Sequence, residues 1–303
     1  MSAAELEAVE IQLEQPSGGL WYEAWYRLRR NPGAIVGAVL VSVFVICAIG
    51  APVIAPHDPA KDTFLVNGIL QPQPPSRDHW LGLDIQGRDV FSRIVYGARY
   101  SLLIGVVSVT IGLSIGLLLG SFAGFVGRWP DSIVMRCMDI MLAIPGLLFA
   151  IAIVAMLGPG LWQVMIAVGV VNIPIFARLL RGSVLAQREN DYVLAARSVG
   201  VARRKILFSH ILPNSMSPVI VAGTLAMATA IIDVAGLGFL GLGPQDPSTP
   251  EWGTMLTDSN EYLAAAPYLA IIPCLAIVVS VLGFNLIGDG LREALDPKLR
   301  GRA

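Results

Sequence analysis

His57, His79 and His210 are the residues from which metal or acid–base chemistry would first be sought. They lie too far apart in the chain to match the ligand spacing of a metal site. No Gly-x4-Gly-Lys-Ser/Thr loop is present to cradle a nucleotide phosphate, and no His-Glu-x2-His pair to hold zinc. No serine sits in a nucleophile-elbow pattern. Cys47, Cys137 and Cys274 fall in or beside apolar runs, so neither a disulfide framework nor a cysteine metal site is expected. The sequence therefore predicts no catalytic residue, no metal and no cofactor bound by this chain.

The remaining chemistry is that of charge inside apolar sequence. Arg136 and Asp139 are three residues apart and would share a helix face. They read either as a structural pair, with Arg136 reaching to the headgroups, or as part of a solute path through Asp139. Asp233 either faces a cavity or marks the end of an apolar run, and Asp289 between two glycines reads as an interfacial turn. A third set of residues suits docking. Asn190 or Asp191 caps a short helix over 192–199, Gly200 stops it, and Arg197, Arg203, Arg204 and Lys205 flank it. Its small residues, Ala195 and Ala196, would let it seat in a groove on another protein. On spacing alone a docking helix and a plain basic loop are equally open.

The elements that must carry these residues are membrane spans. Hydrophobic residues make up 55% of 303 residues and charged ones 14%, about half the charge of a soluble domain. Apolar runs with few charges predict six spans near 34–54, 102–126, 133–157, 161–180, 206–232 and 268–287. An acidic tail and an amphipathic segment over 21–30 precede them, giving a cytoplasmic region 1–33, a six-span body 34–288 and a C-terminal tail 289–303. Lys and Arg concentrate in the tail, the 127–136 turn, the 181–205 loop and the C-terminus, which predicts both termini in the cytoplasm. The outer loops are then 55–101 and 233–266, the latter without a Lys or Arg. Gly112, Gly116, Gly120 and Gly124 form a small-residue stripe for close helix packing, expected within the chain. Pro145, Pro174, Pro213, Pro218 and Pro273 are expected to kink their spans. The near-neutral net charge of −1 gives no footprint for nucleic acid.

Ala195-Ala196, Gly200 and Leu212-Pro213 in this spacing resemble the cytoplasmic signature of binding-protein-dependent ABC transporter permeases, although Leu194 stands where that signature usually has Glu. His79-Trp-Leu-Gly-Leu-Asp-Ile-Gln-Gly-Arg-Asp-Val-Phe-Ser-Arg93, Gly236 to Gly243 with Pro250-Glu-Trp-Gly253, and Asn285 to Pro297 are similar to the dipeptide/oligopeptide/nickel branch. The resemblance implies an all-α, six-span ABC importer permease fold with a coupling helix. It further implies a bacterial inner or plasma membrane and a homologous second permease. Two ATPase subunits holding ATP and magnesium, an extracytoplasmic solute-binding protein and a peptide substrate complete the assembly it implies. The coupling contact would fall on Asp191, Tyr192, Leu194, Ala195, Ala196, Arg197, Gly200 and Arg203. Trp80, Asp84, Arg88, Asp89 and Trp252 would help receive the binding protein. Nickel is the rival substrate within that branch. An ATP-independent transporter or channel is the rival class; it would show paired ionisable groups at mid-membrane or an inverted repeat, and neither is evident.

Overall fold

The computed structural model describes residues 20–65, 68, 70–246 and 248–295, and their regular structure is helical, with only two isolated bridges, Gln73–Leu83 and Leu83–Asp89. The acidic tail over 1–19 and the end of the C-terminal signature, 296–303, lie outside the described residues. Among the described residues five helices are long and apolar enough to span a membrane, or six crossings if a bent helix pair counts as one.

α1 (Leu20–Leu28) precedes α2 (Pro32–Ile54). Pro32 fits the first turn of α2, where its missing N–H costs nothing, and the Asn31 side chain accepts from Ala34 N at 3.0 Å. α3 (Val90–Val126) begins twelve residues before the expected span because Asp89 caps it and accepts from Ser92 N at 2.8 Å. Arg93 does not interrupt α3, since its guanidinium is neutralised by Asp84 rather than left in an apolar face.

The expected third span is two helices. α4 (Arg128–Leu142) and α5 (Gly146–Leu157) meet at a bend of 91°. Pro145 is the cause: it disfavours helical backbone at Ile144 and donates no hydrogen bond back into α4. α6 (Leu161–Arg188) is then followed by α7 (Asp191–Ser198) and α8 (Arg203–Ile206). A π-helical turn over Leu207–Ile211 joins α8 to α9 (Leu212–Phe239). Pro213 cannot complete the ordinary i→i−4 ladder, and a wider turn just before it relieves the ring clash. α10 (Trp252–Ser259) and α11 (Tyr268–Leu295) complete the chain.

α6 and α9 are the inner helices, while α2 and α11 are peripheral: 61% and 50% of the most apolar windows of the first two are buried, against 17% and 22% for the others. The tightest seam joins α3 to α6. A Cβ at Gly112 would lie 2.8 Å from Gly169 O, one at Gly116 2.6 Å from Phe176 Cβ, and one at Gly120 would overlap Ala177 O. The glycine stripe is thus an intrachain contact in which two backbones touch, as expected from the spacing.

Candidate functional site

Two ends of this bundle carry the residues singled out by sequence. At one end, α7 lies between α6 and α8, with Asn190 at its N-cap position but without the capping hydrogen bond its side chain could make, and closed by Gly200, whose φ of +79° is the left-handed conformation that favours glycine. Val193 and Ala196 point inward, into a cluster with Leu180, Val184, Ile206 and Ile211. Tyr192, Leu194, Ala195 and Val199 are exposed, as are Asp191, Arg197 and Gly200. The expected contact set is therefore divided. Ala195 faces out with Leu194, whereas Ala196 anchors the helix to its own chain. Val199, absent from the expected set, extends the exposed apolar face because α7 presents residues four apart together.

The helix is held in place from several sides. Gln187 Oε1 accepts from Tyr192 Oη at 2.6 Å and from Asn190 Nδ2 at 2.8 Å. Asn214 Nδ2 donates to His210 O at 2.7 Å, which fastens the π turn beneath α7. Beside it opens a cavity of about 730 Å³ lined by Arg128, Arg188, Arg197 and Arg203, with Gly200 on its rim. Arg188 Nη1 donates to Gly124 O and Phe125 O, satisfying the carbonyl end of α3. An acidic group on a docked partner would find donors already in place there.

Asp139 pairs with Arg178 of α6 at 2.6 Å, not with Arg136, which is exposed. Arg181, one turn further, holds Asp131 through two hydrogen bonds, so two ion pairs tie α4 to α6. Helical spacing suggested Arg136, but the long-range partner won because α4 lies against α6. Asp233 is half-buried within α9, inside the helix rather than at its end.

The opposite end is a polar knot. Asp84 Oδ2 accepts from Arg88 Nε at 2.8 Å and from Arg93 Nη1 at 2.6 Å, and Asp84 Oδ1 accepts from Gln86 N and Arg88 N. Asp258 stands behind both guanidinium groups, at 3.6 and 3.8 Å, with its carboxyl raised above the usual range by burial. Tyr268 Oη reaches the carbonyls of Gln73 and Leu83, and Trp252 Nε1 donates to Ile94 O at 3.2 Å. Glu251 caps α10 by accepting from Gly253 N and Thr254 N, both at 2.8 Å, and full burial pushes its carboxyl up to about 7. These contacts bury four of the five side chains expected on a docking surface. Asp84, Arg88, Asp89 and Trp252 are 6%, 4%, 1% and 0% exposed, so they fasten the segment internally; Trp80, at 62%, is the one that faces outward. Arg93, Glu251 and Asp258 complete the knot; the first two stand in the quoted motifs without a role assigned to them, and Asp258 was not singled out. The knot also brings His57 and His79, expected to be scattered, to a ring separation of 5.2 Å.

The profile of the binding-protein-dependent transport system inner membrane component family matches residues 116–301, and that of the N-terminal TM domain of oligopeptide transport permease C matches 19–75. The chain is 49% identical to the dipeptide transport system permease protein DppC of Alkalihalophilus pseudofirmus, covering 92% of this chain and 90% of that one. It is 47% identical to the di/tripeptide transport system permease protein DppC of Pseudomonas aeruginosa, over 93% of each. It is 47% identical to the glutathione transport system permease protein GsiD of Escherichia coli O157:H7, over 93% of this chain and 91% of that one. Among solved structures, an inward-facing MetNI methionine ABC transporter chain superposes with a TM-score of 0.57 at 20% identity, covering 68% of this chain and 97% of its own. That likeness is one of fold.

Proposed function

The chain belongs to the family of binding-protein-dependent transport inner membrane components, and from that premise we propose that it is a permease subunit of an ATP-driven importer of di- and oligopeptides. The observation that carries the coupling role is the divided face of α7: Val193 and Ala196 are locked into the bundle, while Tyr192, Leu194, Ala195 and Val199 are left uncovered beside a basic cavity. A helix built this way transmits force, because a partner pushing on its outer face moves α6 and α9 through its inner one.

In this reading the α7 end lies in the cytoplasm and takes an ATPase subunit, with a second ATPase under a homologous second permease. ATP and magnesium sit on those partners, and hydrolysis is theirs. Closure of the ATPases would shift α7 and rock the spans between inward and outward states. The knot end lies outside the membrane and receives a solute-binding protein, with Trp80 on the receiving surface. Asp139 and Asp233 are the residues proposed for the solute path, which would form between the two permeases. Peptide is the substrate because the close relatives carry peptide-transport names and the shared sequence covers nearly the whole chain.

The test is gentle purification from the native membrane, followed by identification of co-purifying chains and an ATPase assay with added peptide and binding protein. Recovery of a second permease and ATP-hydrolysing subunits, with peptide-stimulated turnover, is the expected result. A chain that purifies alone and still moves solute without ATP would overturn the reading.

A further inference from the structure

The knot end contains a second constellation that the transport reading does not use. His57 belongs to the strap that follows α2, His79 to the segment before α3, and Asp89 is the cap of α3. One donor atom from each of the three lies within 4.8 Å of the other two. His79 Nδ1 and Asp89 Oδ1 are 3.1 Å apart. Zinc bonds of about 2.0–2.1 Å place tetrahedral donors roughly 3.3–3.5 Å from one another, so this pair need open by only a few tenths of an ångström to share one cation. The remaining closure, about an ångström, is within the reach of imidazole rotation.

The donors are also held from behind, as the ligands of a built metal site are. Asp89 Oδ2 is occupied by Ser92 N at 2.8 Å and Ser92 Oγ at 2.7 Å, which leaves Oδ1 directed at His79. The same Ser92 Oγ accepts from His57 N at 3.2 Å and so fixes the strap beside the cap. Phe64 packs on both imidazoles, at 4.9 Å from His57 and 4.6 Å from His79, and its N–H donates to Gly87 O at 2.8 Å. An apolar wall on one side and a buried carboxylate on the other are the surroundings in which a cation gains most from its ligands. Two neutral imidazoles and one carboxylate select a borderline divalent metal over magnesium or calcium, which require more oxygen donors.

We propose that His57, His79 and Asp89 form a binding site for a divalent transition metal of the zinc class, which clips the strap after α2 onto the start of α3. Three protein donors leave a further position for water or for a group from another chain. The metal would replace the His79–Asp89 hydrogen bond, since a ligating imidazole must be unprotonated on the bonding nitrogen.

The experiment uses the full chain, purified through a tag without histidine, stripped with chelator and titrated with Co²⁺ as a spectroscopic probe, then with Zn²⁺ in competition. The expected result is one equivalent per chain with visible ligand-field bands, displaced by Zn²⁺, and affinity reduced at least tenfold in His57→Asn and in His79→Asn. His210 and the free thiols of Cys47, Cys137 and Cys274 remain in both variants, so binding elsewhere would persist unchanged. Equal affinity in wild type and in the double variant, or no saturable binding at all, would overturn the proposal. X-ray absorption of the zinc-loaded wild-type chain decides the matter should a variant fold poorly. Imidazole scattering in a nitrogen and oxygen shell supports the site, and a sulfur shell contradicts it.

Discussion

The two ends of the molecule treat their charged and aromatic residues in opposite ways. Around the start of α3, Asp84, Arg88, Arg93, Glu251 and Trp252 are turned inward and spend their polar atoms on one another and on backbone. Around α7, Tyr192, Leu194, Arg197 and Arg203 are turned outward, and no atom outside Gly200's immediate neighbourhood lies within 4 Å of where its Cβ would stand. The difference teaches how one chain fastens one segment and leaves a face of another uncovered. A long loop segment outside a bundle needs internal fastening before it can present any surface, whereas a short helix anchored by Val193 and Ala196 can leave the rest of itself free. Charge at the knot end is structural, and charge at the α7 end is available.

The largest effect that would break this contrast is at Asp84. Asp84→Ala removes the carboxylate closest to two buried guanidinium groups, a change that costs about 3–5 kcal/mol in buried ion pairs. A fall in thermal midpoint in detergent, with little protein reaching the membrane, is expected; an unchanged midpoint would make the knot a surface feature. Gly120→Ala comes next, because its Cβ would overlap Ala177 O across the α3–α6 seam and overpacking costs about 1–3 kcal/mol. Its thermal midpoint should drop while the same change at Gly223, where a Cβ meets nothing within 4 Å, leaves it alone.

Gly200→Trp sharpens the other side of the contrast. A left-handed backbone costs about 1–2 kcal/mol for a residue with a Cβ, so the variant should insert and fold, yet peptide uptake should be lost because the indole projects beside the exposed face. Normal uptake by this variant would sink the coupling role of α7. The smallest effect concerns Glu251. Its carboxyl ionises near 4.5 when the chain is unfolded and near 7 when buried, so the folded state holds its proton over that interval while the unfolded state does not. Stability of the knot should therefore fall as pH rises from about 4.5 to about 7. Glu251→Gln should flatten that slope in thermal melts taken across the interval.

Much of this architecture was legible in the residues. Apolar runs located the five long helices and the bent pair, the glycine stripe gave the α3–α6 seam, and Asn190 with Gly200 bounded α7 within a residue. What was not legible depended on partners distant in sequence. Arg178 is 39 residues from Asp139, so helical spacing nominated Arg136 instead. Pro145 announced a break, but the residue type alone does not give its size, a bend of 91° between α4 and α5. The inward turn of Asp84, Arg88 and Asp89 was hidden because a mixed-charge segment reads as solvated chain until its pairings close. Ala195 and Ala196 are adjacent and alike, and only the direction of α7 on the bundle tells the outward residue from the anchor.

That last distinction offers the most direct test. With Cys47, Cys137 and Cys274 replaced by serine, single cysteines at Leu194, Ala195 and Ala196 would be compared for cross-linking to the ATPase subunit in native membranes. Efficient cross-links from positions 194 and 195 and none from 196 are predicted. Cross-linking from Ala196→Cys as strong as from Ala195→Cys, or from none of the three, would contradict the account of α7 as a helix anchored on one face and docked on the other.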